Sequence, residues 1–113
     1  MVSMSSQNIV VRKLYERLAK GLMDVIVLKE LAGDNPICGH EIRAVIQKGF
    51  HVLVSSGTIY SLRYSMERKG LIEGVMTGKK RVYRLTEKGK EKLKDISESS
   101  DKIVLLIKSI LEK

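Results

Sequence analysis

Four groups of residues in this sequence have the types and spacing to do chemistry, and two of them fail on numbers. Cys38-Gly39-His40 with the distant His51 offers one thiol and two imidazoles. A stable zinc site takes three or four nitrogen or sulfur ligands at a recognisable spacing, so these are too few within one chain and no metal is expected. Ser97, Ser99 and Ser100 sit among charges with no His and acid at nucleophile spacing, and no Gly-rich run matches a phosphate or dinucleotide loop. Neither a catalytic residue nor a cofactor is expected. The lone Cys38 has no internal disulfide partner and reads either as a small buried residue or as an oxidation sensor.

The other two groups are a hydroxyl-rich stretch, from Ser55 and Ser56 through Thr58, Tyr60, Ser61 and Tyr64 to Arg68, and the cationic triplet Lys79-Lys80-Arg81. On a duplex, cations take phosphates and fix position, while uncharged or bidentate groups approach base edges. The charge distribution supports reading the two together. The 113 residues carry a net charge of +8, from 21 Lys and Arg against 13 Asp and Glu. Residues 55–94 contribute +7 of it, residues 1–54 contribute +2 and residues 95–113 contribute −1. An excess concentrated in this way favours a polyanionic partner, nucleic acid ahead of an anionic membrane.

Such groups need elements to hold them, and hydrophobic periodicity supplies these. Val11, Leu14, Leu18, Leu22, Val25 and Ile26 recur at three- and four-residue steps. They predict one helix over 8–32, or two over roughly 8–20 and 22–32, since Gly21 marks a break or a close packing. Gly33 and the only proline, Pro36, stop this pattern. A helix over 39–48 buries Ile42, Val45 and Ile46, and a short extended piece follows over 50–54. Ser55 then starts a helix over 55–69 by accepting from a first-turn amide. At 100° per residue, Ile59, Leu62 and Met66 share its core side, while Gly57, Tyr60, Ser61, Tyr64 and Arg68 share the opposite, polar side.

Gly70 ends that helix as its C′ residue. Strands over 71–76 and 81–85 flank the four-residue connection Thr77-Gly78-Lys79-Lys80, with Tyr83 and Leu85 on one face and Val82 and Arg84 on the other. Thr86 caps a last helix reaching nearly to Lys113, on which Leu93, Ile96, Ser100, Ile103, Ile107 and Ile110 form a heptad seam. A chain of this length has little core to cover both this seam and the apolar N-terminal helix. A homodimer is therefore expected, with those six residues at its interface.

The order helix, helix, helix, basic hairpin is that of a winged helix-turn-helix. The expected fold is mostly α with a small β-hairpin wing (α+β), divided into a disordered tail over 1–7, a winged-helix domain over 8–86 and a C-terminal dimerisation helix over 87–113. The longest apolar runs, Val25-Ile26-Val27-Leu28 and Ile103-Val104-Leu105-Leu106-Ile107, fall short of the about 20 residues that span a bilayer. The start, Met1-Val2-Ser3-Met4-Ser5-Ser6, lacks the basic and apolar regions of a secretory signal. A cytoplasmic, nucleoid-associated location with no membrane partner is expected.

Three stretches then carry a family resemblance. Ser55-Ser56-Gly57-Thr58-Ile59-Tyr60, Met66-Glu67-Arg68-Lys69-Gly70-Leu71-Ile72 and Arg81-Val82-Tyr83-Arg84-Leu85-Thr86-Glu87-Lys88-Gly89 resemble the PadR family of transcriptional regulators. The resemblance runs from about Leu22 to Leu93. It implies a homodimeric DNA-binding repressor, with the third core helix in the major groove, the hairpin as a wing on the backbone or minor groove, and a C-terminal helix for dimerisation. Departures from the family pattern are His40 in place of a Tyr, Arg63 in place of an apolar residue, and Tyr64 and Ser65 where basic residues are common. With no Trp in the chain, the flat aromatic-stacking drug site of some family members has no counterpart, and no residues are singled out for a small-molecule effector.

The sequence thus predicts a regulator that binds double-stranded DNA through Ser55, Ser56, Thr58, Tyr60, Ser61, Tyr64, Arg68, Lys79, Lys80 and Arg81. The alternative is a winged-helix interaction module, ribosomal or polymerase-associated, that binds RNA or protein; dimerisation and duplex preference separate the two.

Overall fold

Asn8 opens the first helix, α1 (Ile9–Gly21), by accepting the Val11 amide on Oδ1 at 3.2 Å. The computed structural model describes residues 8–33 and 35–113, so the tail expected over 1–7 lies outside the described residues. The open question of one helix or two resolves as two. A second helix, α2 (Met23–Leu31), follows after Leu22, whose backbone sits at φ −116 and ψ 20. Gly21 itself is not packed closely: a Cβ there would meet nothing within 4 Å. The ladder barely breaks, because the Leu22 amide still reaches the Leu18 and Ala19 carbonyls and the Leu22 carbonyl accepts from Ile26.

The Ile37–Cys38 strand, β1, was not foreseen. It leads into α3 (Gly39–Phe50), which runs two residues beyond the expected end and stops where His51 turns left-handed at φ 55. Of the extended piece expected over 50–54, Phe50 belongs to α3, and residues 51–55 lie outside any helix or strand. Val52 and Val54 are buried and Leu53 exposed, so the alternation reflects core contact without a pairing partner. The next helix, α4 (Ser56–Arg68), is capped by Ser55, which accepts the Thr58 amide at 3.1 Å. It ends in a Schellman arrangement around Gly70 at φ +74, with the Gly70 amide on the Glu67 carbonyl and the Leu71 amide on the Met66 carbonyl.

Strands β2 (Ile72–Thr77) and β3 (Lys80–Leu85) pair antiparallel, with Gly74 opposite Tyr83 and Thr77 opposite Lys80. The hairpin loop is therefore the two residues Gly78 and Lys79, shorter than the four expected. Gly78, at φ +64, takes the first central position, where a type II′ turn needs a positive φ. On its other edge β3 pairs with β1, so the sheet has the order β1-β3-β2.

Thr86 caps α5 (Glu87–Glu98), accepting from the Gly89 amide at 3.0 Å. The single last helix expected over 87–113 is two: α6 (Ser100–Leu111) begins after Ser99, at φ −102 and ψ 7. Three serines in four residues weaken the helix here, since their hydroxyls compete for backbone groups. The core forms around α2. Val27, Leu28 and Leu31 join Ile42 and Ile46 of α3, Ile59 and Met66 of α4, and Tyr83 and Leu85 of β3. The fold is α+β, with a three-stranded wing sheet beside six helices among the described residues. The radius of gyration is 15.3 Å, against about 13 Å for a compact chain of this length, because the molecule extends to 51 Å along one axis.

Candidate nucleic-acid interface

The helical face expected to read bases stands clear of the core. Ile59 and Met66 of α4 are buried and Leu62 half-buried, which turns Gly57, Tyr60, Ser61, Tyr64 and Arg68 outward, all exposed. Tyr60 is 63% exposed and Tyr64 54%, so neither is a packing residue within this chain. Their rings lie one turn apart in a near-parallel stack, with centroids 6.4 Å apart and planes 10° from parallel. The Arg68 guanidinium covers the Tyr64 ring at 5.7 Å. Polar groups at the start of α4 are tied locally. Ser55 Oγ meets Thr58 Oγ1 at 2.9 Å, and Arg43 of α3 donates to Ser56 Oγ at 3.2 Å. Ser55 and Thr58 therefore spend hydroxyl capacity on the cap, whereas Ser61 stays exposed with no side-chain hydrogen bond among the described residues.

The three expected wing cations separate into two kinds. Lys79, in the loop, and Lys80, at the start of β3, are exposed and make no ion pair among the described residues. Arg81 instead reaches back to α4, where its Nη2 donates to Glu67 Oε2 at 2.8 Å. The Glu67 carboxylate first, and the Tyr83 hydroxyl next, hold the Arg81 guanidinium above its already high pKa. Between α4 and the wing lies an open groove of about 480 Å³, lined by Tyr60, Arg63, Tyr64, Glu67, Arg68, Arg81 and Tyr83.

Arg63, Glu67 and Tyr83 are the groove residues that the sequence reading missed. Tyr83 is buried, and its hydroxyl accepts from Arg63 Nη1. Arg63 had been marked only as a departure from an apolar position, and twenty residues separate it from its partner.

Cys38 and His40 do meet, with Sγ 3.3 Å from Nδ1, but His51 lies at the other end of α3. No group of three His, Cys, Asp or Glu is placed to hold a metal among the described residues. The third neighbour of Cys38 is Glu41, whose Oε1 accepts from the Cys38 thiol at 2.8 Å and from its amide at 3.1 Å. These two bonds, the thiol's first, hold the Glu41 carboxyl below the ordinary carboxylate value.

The six residues expected at a dimer seam divide between α5 and α6. Leu93 and Ile96 pack against the chain's own core. Ser100, Ile103 and Ile110 are exposed, and Ile107 and Ile110 line an apolar groove of about 250 Å³ with Leu14 and Leu18 of α1. No helix among the described residues is long and apolar enough to cross a membrane.

The sequence profile described as the transcriptional regulator PadR-like family matches residues 27–95, which include α3, α4 and the whole wing. The chain belongs to this family. Members are transcriptional regulators and not enzymes, and the chain is accordingly a DNA-binding regulator. Among solved structures, a PadR-like transcriptional regulator from Bacillus cereus superposes with a TM-score of 0.73 at 25% identity, over 86% of this chain and 98% of that one. A PadR family transcription regulator from Clostridium difficile gives 0.72 at 22% identity, over 81% and 100%. A transcriptional regulator from Clostridium thermocellum gives 0.68 at 24%, over 97% and 100%. No curated protein sequence matches the chain.

Proposed function

We propose that this regulator is a homodimeric repressor that reads an inverted repeat. The observation that carries the reading is a neutral, exposed Tyr and Ser face on α4 flanked by wing cations that make no ion pair among the described residues. Tyr60, Ser61 and Tyr64 approach base edges in the major groove, while Lys79, Lys80 and Arg68 take phosphates. Dimerisation is supported by the apolar faces of α1 and α6, where Leu18, Ile103, Val104, Leu106 and Ile110 are exposed together with the groove between the two helices. A monomer exposing this much apolar surface gains by burying it against a second copy. A two-fold dimer sets two α4 helices into successive major grooves on one side of the duplex, about 34 Å apart or a multiple of that.

Footprinting on the strongest genomic site tests the reading. The protected sequence is expected to be an inverted repeat whose half-site centres lie about 10 or about 20 base pairs apart. Inserting about 5 base pairs, half a helical turn, should then abolish most of the affinity. Equal affinity for duplexes of every sequence and spacing, or a preference for structured RNA, would overturn it.

A further inference from the structure

Two arginines of the interface lie over one buried tyrosine, and the backbone makes room for each. Arg63 lies over the buried Tyr83 ring at 5.1 Å and donates to its hydroxyl, while its Nε has no partner among the described residues. Arg81 lies over the same ring at 5.7 Å and closes onto Glu67 of α4. A Cβ on Gly39 would fall 2.9 Å from the Arg63 guanidinium carbon, and one on Gly74 would fall 2.5 Å from Arg81 Nε. Both glycines have ordinary negative φ, so what they supply is space for an arginine. The start of α3, the middle of α4 and both wing strands thus converge on one tyrosine.

We infer that Arg81, Tyr83, Arg63 and Glu67 form a brace that sets the angle between the wing and the recognition helix, making Arg81 a positioning residue rather than a phosphate contact. A surface ion pair alone contributes little. Here, however, the pair spans the open groove between α4 and the wing, and a planar guanidinium can stack on the ring and bond the carboxylate together, which an ammonium cannot. The angle decides whether Lys79 and Lys80 reach phosphate when α4 is seated on bases. Discrimination between the preferred site and other duplexes therefore depends on the brace. This inference rests on the DNA-reading role proposed above.

Three substitutions test it without lowering the positive charge. Arg81→Lys keeps the charge but loses the stacking fork, Glu67→Gln removes the anchor and raises the net charge, and Gly74→Ala displaces the Arg81 side chain while leaving the residue itself unchanged. Each full-length variant is titrated with a duplex that the parent selects from random sequence and with an unrelated duplex. Hydrogen exchange is followed in the absence of DNA. The brace predicts that all three lower the ratio of the two affinities, on the order of tenfold, and that Ile72–Leu85 exchanges faster than in the parent. A simple phosphate contact predicts that Arg81→Lys keeps the ratio. A simple surface acid predicts that Glu67→Gln tightens both duplexes equally. Either result, with unchanged wing exchange, overturns the brace. A parent that prefers no duplex would refute the DNA-reading role instead, while the exchange comparison would still decide whether the brace exists.

Discussion

The end of the molecule proposed to read DNA and its apolar end are organised by opposite means. Around α4 and the wing, exposed polar groups are fixed by short directional bonds within the chain: Ser55 to Thr58, Ser56 to Arg43, Glu67 to Arg81 and Glu73 to Arg84. At the other end, α1 buries only Ala19 and α6 buries nothing, and Ile9, Val10, Leu105 and Leu111 all face outward. A polar surface can be completed by one small chain, because hydrogen bonds need only a neighbour at the right angle. An apolar surface needs area, and a chain of this length has too little to cover its first and last helices. The reading end is therefore preorganised in the monomer, whereas the apolar end is proposed to become complete only in the dimer.

The largest effect should come from breaking the apolar end alone. Changing Ile103 and Ile107 to Asp would place carboxylates in the proposed seam, and burying such a charge without a partner costs far more than the roughly 2–7 kcal/mol of an unpaired neutral polar group. Light scattering should report a monomer. If the two ends are separable, circular dichroism should keep the signal of a folded core, and each chain should still bind unrelated DNA. Only the advantage of an inverted repeat over a single half-site should vanish. A variant that stays dimeric with unchanged affinity would move the interface away from α6.

The second effect belongs to the wing. Replacing Lys79 and Lys80 by Ala should weaken binding to every duplex and reduce the salt dependence by about 1.8, at about 0.9 per phosphate released. The dimer mass should not change. A salt slope equal to that of the parent would mean that the wing tip does not touch phosphate. The third effect is narrower. Ser61→Ala or Tyr64→Ala should leave the salt slope in place and alter which base is preferred at one or two positions, by about 1–3 kcal/mol each. Selection from random duplexes would show this as a local change in the preferred sequence; a uniform loss at all positions would assign those side chains to backbone contact.

What the sequence made legible follows the same division between local and distant causes. The Ser55 cap, the buried Ile59 and Met66 with half-buried Leu62, the outward Tyr60 and Tyr64, and the Gly70 stop all follow from periodicity and cap chemistry within a few residues. The β1 strand is two residues long and exists because β3 offers it an edge, so no pattern inside Ile37 and Cys38 could announce it. The Val52 and Val54 alternation left open whether the extended piece pairs, because burial on one side gives the same signature with or without a partner. The helix break at Ser99 was hidden by a stripe that continues in register across it, with Leu93 and Ile96 inside and Ile103 and Ile110 outside. At the candidate site the pairs Arg63 with Tyr83 and Glu67 with Arg81 span twenty and fourteen residues. Only the fold brings them together, which is why Arg81 read as one of three equivalent cations.

The smallest effect concerns pH, and it sharpens the comparison because its group lies at the reading end. Glu41, in the first turn of α3, is held below the ordinary carboxylate value of 4.5 by the Cys38 thiol and then the Cys38 amide, with His40 and Lys80 acting in the same direction. A carboxyl depressed in the folded state binds its proton less tightly there than in the unfolded chain. Its stabilising contribution is complete above the unfolded value and is lost as pH falls through the folded one. Glu41→Gln can still accept from the Cys38 amide but cannot titrate, so the variant should lack this part of the acid dependence. Thermal melting from neutral pH down to about pH 3, below the unfolded carboxylate range, should show the parent losing its margin over the variant as acid is added. Hydrogen exchange should place that loss at Ile37–Cys38 and the start of α3, where the Glu41 bonds are made, and leave α1 and α6 unchanged. Parallel melting curves at every pH would show that the bonds to Cys38 do not couple Glu41 to folding.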